Sequence, residues 1–218
     1  MKENVNYQRK LDQMLQELSM EAEEKGKVPI LLLHSCCAPC SSYVLEYLSN
    51  HFQITIFYYN PNISEEKEYR KRVEEQKRLI SELPVKYPIS FLEGKYDTES
   101  FEEAIKGLEH LGERSERCYA CYRLRLIEAA RVAREKGMDY FTTTLSVSPH
   151  KNANWLNEIG EQMEQEYGVP YLYSDFKKRN GYKRSIELSE QYHLYRQDFC
   201  GCKYSKAEKE ATAGRHIM

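Results

Sequence analysis

Seven cysteines, Cys36, Cys37, Cys40, Cys118, Cys121, Cys200 and Cys202, fall in three short windows of a 218-residue chain. A single buried cysteine commonly packs as a small hydrophobe, but grouped thiols at close spacing point to metal or redox chemistry. The odd count argues against a disulfide framework. So does the start MKENVNYQRK, where no apolar segment follows the basic residues as it would in a secretory leader. The expectation is a cytoplasmic protein with reduced thiols.

Cys118 and Cys121 stand three residues apart at the start of an expected helix, which puts both sulfurs on one face where the helix terminus favours the thiolate. A zinc or iron-sulfur centre takes four thiolates, so the second pair must come from Cys36 with Cys37 or from Cys37 with Cys40. Spacing alone does not separate zinc from a cluster. Adjacent cysteines on a turning loop reach two irons of one cluster more readily than two corners of a zinc tetrahedron, which favours iron. Cys200-Gly201-Cys202 is a different object. A disulfide across one glycine closes a tight, easily reduced ring, so this reads as a redox-active dithiol, with metal ligation as the alternative. A thioredoxin-like reading of Cys37-Ala38-Pro39-Cys40, with Val169-Pro170 as its proline, leaves Cys118, Cys121, Cys200 and Cys202 without a use.

Lys plus Arg is 32 and Asp plus Glu is 34, so the net charge of −2 excludes a chain that holds nucleic acid by bulk charge. Any polyanion must meet a local patch. Residues 177–184 (KKRNGYKR) carry such a patch: Lys177, Lys178, Arg179, Lys183 and Arg184 around Tyr182. This composition suits phosphate contacts plus base stacking, although a charge run is often only a solvated face. The longest aliphatic run, 28–33, contains Pro29 and is far short of the ~20 apolar residues a bilayer requires.

The elements that must position these groups follow from periodicity. Residues 3–25 read as an amphipathic helix ended near Gly26, so the opening segment 1–26 is helical. Strands are expected at 28–34, 52–58, 89–92, 140–147 and 169–173. Helices are expected at 41–48, from Ser64 to about Leu83, at 96–111, from Cys118 to Lys136, at 154–167 and near 185–192. Residues 177–204 are basic and loop-rich, and 205–218 read as a frayed, disordered tail. Strands separated by helices predict a single α/β domain, a mostly parallel Rossmann-type sheet with helices on both faces. Ligands of such sheets sit beyond the carboxyl ends of the strands, where the first cysteine loop and the Ser148-Pro149-His150-Lys151-Asn152 loop both fall. HSCCAPCSS lacks glycines to cradle a phosphate, so no ATP is expected.

Four blocks carry a specific signature: LLLHSCCAPCSSYVLEYL at 31–48, RCYACYRLRLIEAAR at 117–131, FTTTLSVSPHKN at 141–152 and DFKKRNGYKRSIELSEQYHLYRQDFCGCKYS at 175–205. Together they resemble the epoxyqueuosine reductases of the QueH type. The resemblance implies a HUP-like α/β fold and a cobalamin-independent iron-sulfur enzyme. That enzyme would remove the epoxide oxygen of epoxyqueuosine in tRNA by two electrons, the last step of queuosine formation, drawing on an unidentified electron donor. Carried over by position, Cys36, Cys37, Cys118 and Cys121 would hold a 4Fe-4S cluster and Cys200 with Cys202 would form the redox-active pair. Cys40 is left either to a second, mononuclear metal such as iron or to no role. The tRNA would meet Lys177, Lys178, Arg179, Lys183 and Arg184, joined by Lys151 and Asn152. Asp198 is the first candidate to protonate the departing oxygen and His34 the second, each against the commoner use of such residues in closing loops. Two other functions remain open on the residues: a tRNA thiolation enzyme on the same fold, disfavoured by the missing phosphate loop, and a zinc-stabilised RNA-binding module.

Overall fold

The computed structural model describes residues 5–214. Helix α1 (Tyr7–Lys25) starts where the Asn6 side chain accepts from the Arg9 amide and stops at Gly26, whose φ of 63° lies in the left-handed region. The apolar run ILLLH then forms β1 (Ile30–His34), followed by α2 (Ala38–Leu48), β2 (Gln53–Tyr58), α3 (Glu66–Glu82) and β3 (Ile89–Glu93). The second half contains α4 (Thr98–Ala104), α5 (Glu116–Glu135), β4 (Tyr140–Thr143), α6 (Ala153–Tyr167), α7 (Gly181–Gln191) and α8 (Lys203–Gly214).

The four strands are all parallel in the order β3-β2-β1-β4. Alternation along β1 sorts its side chains to two cores. Leu31 and Leu33, with Ile54 and Ile56 of β2, pack against Leu11, Leu15, Val44, Leu45 and Leu79 of α1, α2 and α3. Leu32, with Phe57 and Phe141, packs against Leu126, Ala130, Leu156 and Ile159 of α5 and α6. The chain builds outward from β1 through β2 to β3, then crosses to the opposite side of β1 for β4. The strand order therefore reverses between β1 and β4, and the crevice beyond their carboxyl ends is where such sheets take ligands.

Several expected elements change. The strand expected at 140–147 ends at Thr143, whose hydroxyl accepts from the Leu145 amide as Thr144–Val147 turn into a short 3-10 helix. The fifth strand expected at 169–173 is reduced to one bridge between Phe141 and Tyr171. Pro170 has no amide to donate, and the Ser174 amide is taken by the Asn157 side chain at 2.9 Å. The helix expected at 96–111 condenses to α4, started by Asp97, which accepts from the Ser100 amide. α2 starts three residues earlier than expected, with Pro39 in its first turn, and α7 starts at Gly181. Much of the expected tail is helical, as α8 runs to Gly214. Residues 1–4 of the opening helix and 215–218 of the tail lie outside the described residues. Among the described residues no helix is long and apolar enough to cross a membrane.

Candidate thiolate site

The loop after β1 is held from three sides. The Cys36 amide donates to Thr144 Oγ1 (3.2 Å) across the switch point, and Asn60 Nδ2 donates to the Ser35 carbonyl (2.9 Å). Beneath, the hydroxyls of Ser35 and Ser41 meet each other (2.6 Å) and the Gln76 Oε1 (2.8 and 2.9 Å). The result is that the sulfurs of Cys36, Cys37 and Cys40 all lie within 4.8 Å of one another. Cys118 and Cys121 project from the first turns of α5, both buried, and the Arg114 amide donates to Cys118 Sγ at 3.3 Å.

The Cys200-Gly201-Cys202 turn precedes α8. Its two sulfurs are 3.3 Å apart, and the Ser205 amide donates to Cys202 Sγ at 3.3 Å. The β2–α3 connection clamps the backbone of the turn: Asn62 Nδ2 and Arg72 Nη1 both donate to the Cys200 carbonyl (3.3 Å each), and the Ser64 amide donates to the Gly201 carbonyl (3.1 Å). Gly201 has a φ of 110°, and a Cβ there would stand 2.8 Å from Ile63 Cγ1, so this position requires glycine. A cavity of about 490 Å³ is ringed by Cys36, Cys40, Cys118, Cys121, Cys200 and Cys202. Cys37 is 1 % exposed and stands behind Cys36, with the two sulfurs 3.8 Å apart.

Thiol electrostatics divide the groups into donors and acceptors. Hydrogen bonds from Cys37 and Cys40 pull the Cys36 thiol well below its ordinary value; burial opposes this and the Arg125 guanidinium assists it. Its donors move the other way, Cys37 to about 12. Burial pushes Cys121 up, with Arg125 opposing. In the second group the hydrogen bond from Cys202 brings Cys200 down to about 5 against burial, and the Lys151 ammonium contributes. Cys202, which keeps the proton, is raised. Lys151 is held at the cavity by Glu113, Nζ to Oε1 being 3.2 Å. Alkylation of Cys200 by iodoacetamide is therefore expected to rise through a midpoint near pH 5, several pH units below an unperturbed thiol at about 8.5. Peptide mapping of labelled protein across pH 4–9 checks this, and a midpoint near 8.5 contradicts it.

The remaining expected residues are distributed unevenly. Lys151 lines the cavity, but Asn152 caps α6 by accepting from the amides of Asn154 and Trp155. Asp198 lies at the cavity rim, exposed and ion-paired with Lys209, which holds its carboxyl below the usual range. An ionised carboxylate is a poor proton donor, so the expected acid role does not fit this geometry. His34 does not line the cavity: it is fully buried, and burial, helped by Arg125, lowers it to about 3, leaving a neutral ring near neutral pH whose nitrogens face Thr143 and Tyr59 and not the cavity. Lys177, Lys178, Arg179, Lys183 and Arg184 also lie off the cavity, where only Tyr182 and Ser185 of that stretch contribute. Lys177 pairs with Asp175 (2.6 Å), Arg179 with Asp12 (2.5 Å), and Arg184 with Glu46 (2.6 Å) and Glu187 (3.2 Å). Sequence reasoning missed Arg72, Asn62, Arg117 and Arg125. Arg125 carried a readable signal, since it follows Cys121 by one helical turn on the same face.

A parallel α/β fold that gathers six free thiols around one cavity at its switch point defines a thiol-centred α/β protein built for metal or redox chemistry. A family model described as Epoxyqueuosine reductase QueH matches residues 31–208. Among curated relatives, the epoxyqueuosine reductase QueH of Streptococcus pyogenes serotype M1 is 40 % identical over 204 residues, covering 93 % of this chain and 80 % of that protein. That of Staphylococcus epidermidis is 39 % identical over 207 residues, covering 93 % and 85 %. That of Thermotoga maritima is 36 % identical over 194 residues, covering 85 % and 96 %. The chain belongs to the QueH family of epoxyqueuosine reductases.

Proposed function

We propose that this chain reduces epoxyqueuosine in tRNA to queuosine, with a 4Fe-4S cluster held by Cys36, Cys37, Cys118 and Cys121 and with Cys200 and Cys202 as the dithiol that supplies electrons. The observation that carries this reading is the convergence of the three cysteine windows on one cavity. The donor set fits the group: all-sulfur, with Cys37, Cys118 and Cys121 buried and Cys36 half-buried, and at the mouths of two helices. Bound there, a cluster supplies single electrons and an iron that polarises an oxygen. Cys40, within reach of Cys36 and Cys37, is the further ligand for a second, mononuclear iron.

The chain's own residues account for the electron and proton balance. The epoxide takes two electrons and two protons, its two C–O bonds break, a C=C bond forms, and water leaves. Cys200 and Cys202 give up the two electrons as their sulfurs, already 3.3 Å apart, join in a disulfide. With Cys200 ionised, the dithiol releases one proton and solvent provides the other. An external reductant then reopens the disulfide, in a cytoplasm that keeps such thiols reduced. Lys151, held by its pair with Glu113, places a cation beside Cys200. Mass analysis of digests of epoxyqueuosine-containing tRNA, incubated with the reduced and reconstituted chain, is expected to show a nucleoside lighter by one oxygen. Persistence of the epoxide with a loaded chain contradicts the proposal.

The tRNA backbone is proposed to run over the 177–184 segment, with Tyr182 pointing the way to the cavity. Lys178 has no carboxylate partner among the described residues, whereas its neighbours are already ion-paired. Replacing Lys177, Lys178 and Arg179 with alanine is expected to lower the slope of log affinity against log salt by about one, not three. Filter binding across salt concentrations checks this, and an unchanged slope moves the RNA surface elsewhere.

A second reading, a zinc-stabilised RNA-binding module, draws on one distance. The Cys36–Cys37 sulfur separation of 3.8 Å equals the edge of a tetrahedron with Zn–S of about 2.3 Å. That reading leaves the Cys200–Cys202 dithiol on the same cavity without work.

A further inference from the structure

The described residues include three arginines whose side chains are almost wholly buried: Arg72, Arg117 and Arg125. Two of them are neutralised in place. Arg72 Nε lies 2.7 Å from Glu68, and Arg117 Nη2 lies 2.9 Å from Glu208. Arg125, 3 % exposed, has no carboxylate within ion-pair distance among the described residues.

Its partners are neutral. Nη2 donates to Asn60 Oδ1 at 2.5 Å, and Asn60 is fixed in that orientation because its Nδ2 donates to the Ser35 carbonyl. Nε faces His34 Nε2 at 3.3 Å, but the same ring nitrogen lies 3.0 Å from the Tyr59 carbonyl and can serve only one of them. The ring is uncharged in either arrangement. A buried guanidinium without a counter-charge is strongly unfavourable, and a protein that keeps one has an anion nearby in its working state. Of the ionisable groups that feel Arg125, Cys36 and Cys121 come from the two cysteine windows, and Tyr59 and Tyr122 are phenols that stay neutral. Arg125 thus lines the cavity itself, one turn beyond Cys121 on α5 and hydrogen-bonded to His34 at the end of β1 that leads to Cys36.

We propose that Arg125 is a positioning residue, the fixed internal counter-charge of the thiolate centre to which Cys36 and Cys121 belong, and that it sets the centre's reduction potential. This rests on the cluster reading above. A metal centre bound by four thiolates is anionic and becomes more so on reduction, so an unmoving cation in a low-dielectric wall favours the reduced state. Its neutral hydrogen-bond partners leave that charge unspent on the protein.

The test is a spectroelectrochemical titration of the full, anaerobically reconstituted chain, comparing the parent with Arg125→Met and Arg125→Lys. At the parent's midpoint the Met variant is expected to have a reduced-to-oxidised ratio at least tenfold lower, a fall of 59 mV or more for a one-electron couple. The Lys variant is expected to stay within threefold of the parent. A Met variant with the parent's midpoint overturns the proposal. Should the Met variant fail to hold iron, loading regained in the Lys variant supports the charge role, and failure of both overturns it in favour of packing. A parent chain that takes up no cluster at all sinks the cluster reading itself, a result distinct from any change among the variants.

Discussion

Anaerobically reconstituted Cys118→Ala is expected to hold at least about tenfold less iron and sulfide than the parent while keeping its helical content. Cys118 is the thiol whose sulfur already accepts the Arg114 amide at the opening of α5, and it is buried among residues of the core that also packs Cys36. Losing it leaves three candidate thiolates and a gap where the fourth stood. The helix itself does not depend on that sulfur, because α5 is fixed to the sheet by Leu126, Ala129, Ala130 and Ala133, all buried two turns or more further on. Iron and sulfide assay beside far-UV circular dichroism separates the two effects. Full iron loading in Cys118→Ala would remove α5 from the centre and with it the proposed ligand set.

Cys200→Ala is expected to behave in the opposite way, with iron and sulfide retained and turnover with a chemical reductant reduced at least about a hundredfold. The reason is that Cys200 and Cys202 belong to a different wall of the cavity, held by the Asn62, Ser64 and Arg72 contacts rather than by the loop after β1. With one sulfur gone no disulfide can close, and the remaining Cys202 thiol loses its sulfur partner at 3.3 Å. Steady-state formation of the deoxygenated nucleoside, normalised to iron content, reads this directly. Loss of the cluster in Cys200→Ala as well as in Cys118→Ala would contradict the division of labour between the two groups of thiols.

The parts of this site that were legible in the sequence are the local ones. Strand, cysteine loop and helix at 30–48 follow from an apolar run, a proline and short-range spacing, and the placement of that loop at the sheet's switch point follows from the alternation of strands and helices. The Gly201 turn was readable for the same reason, since one glycine between two cysteines specifies its own backbone. What the sequence concealed depends on partners far along the chain. The basic segment at 177–184 reads as free charge until Asp12 of α1 and Glu46 of α2 are seen to neutralise Arg179 and Arg184. Val169–Tyr173 has the composition of a strand, but its amides and carbonyls meet Phe141, Thr142 and the Glu164 side chain instead of a full ladder. Arg125 is separated from His34 by 91 positions, so nothing in its immediate sequence shows that it lies in the core without a carboxylate.

The central claim, that cysteines distant in the chain hold one iron-sulfur centre, is tested most directly by iron, zinc and acid-labile sulfide analysis of the full chain purified without oxygen, with its visible spectrum. The account predicts a brown protein with at least four irons and about four sulfides per chain, bleached on reduction. A colourless protein carrying about one tightly bound zinc and no sulfide would contradict it.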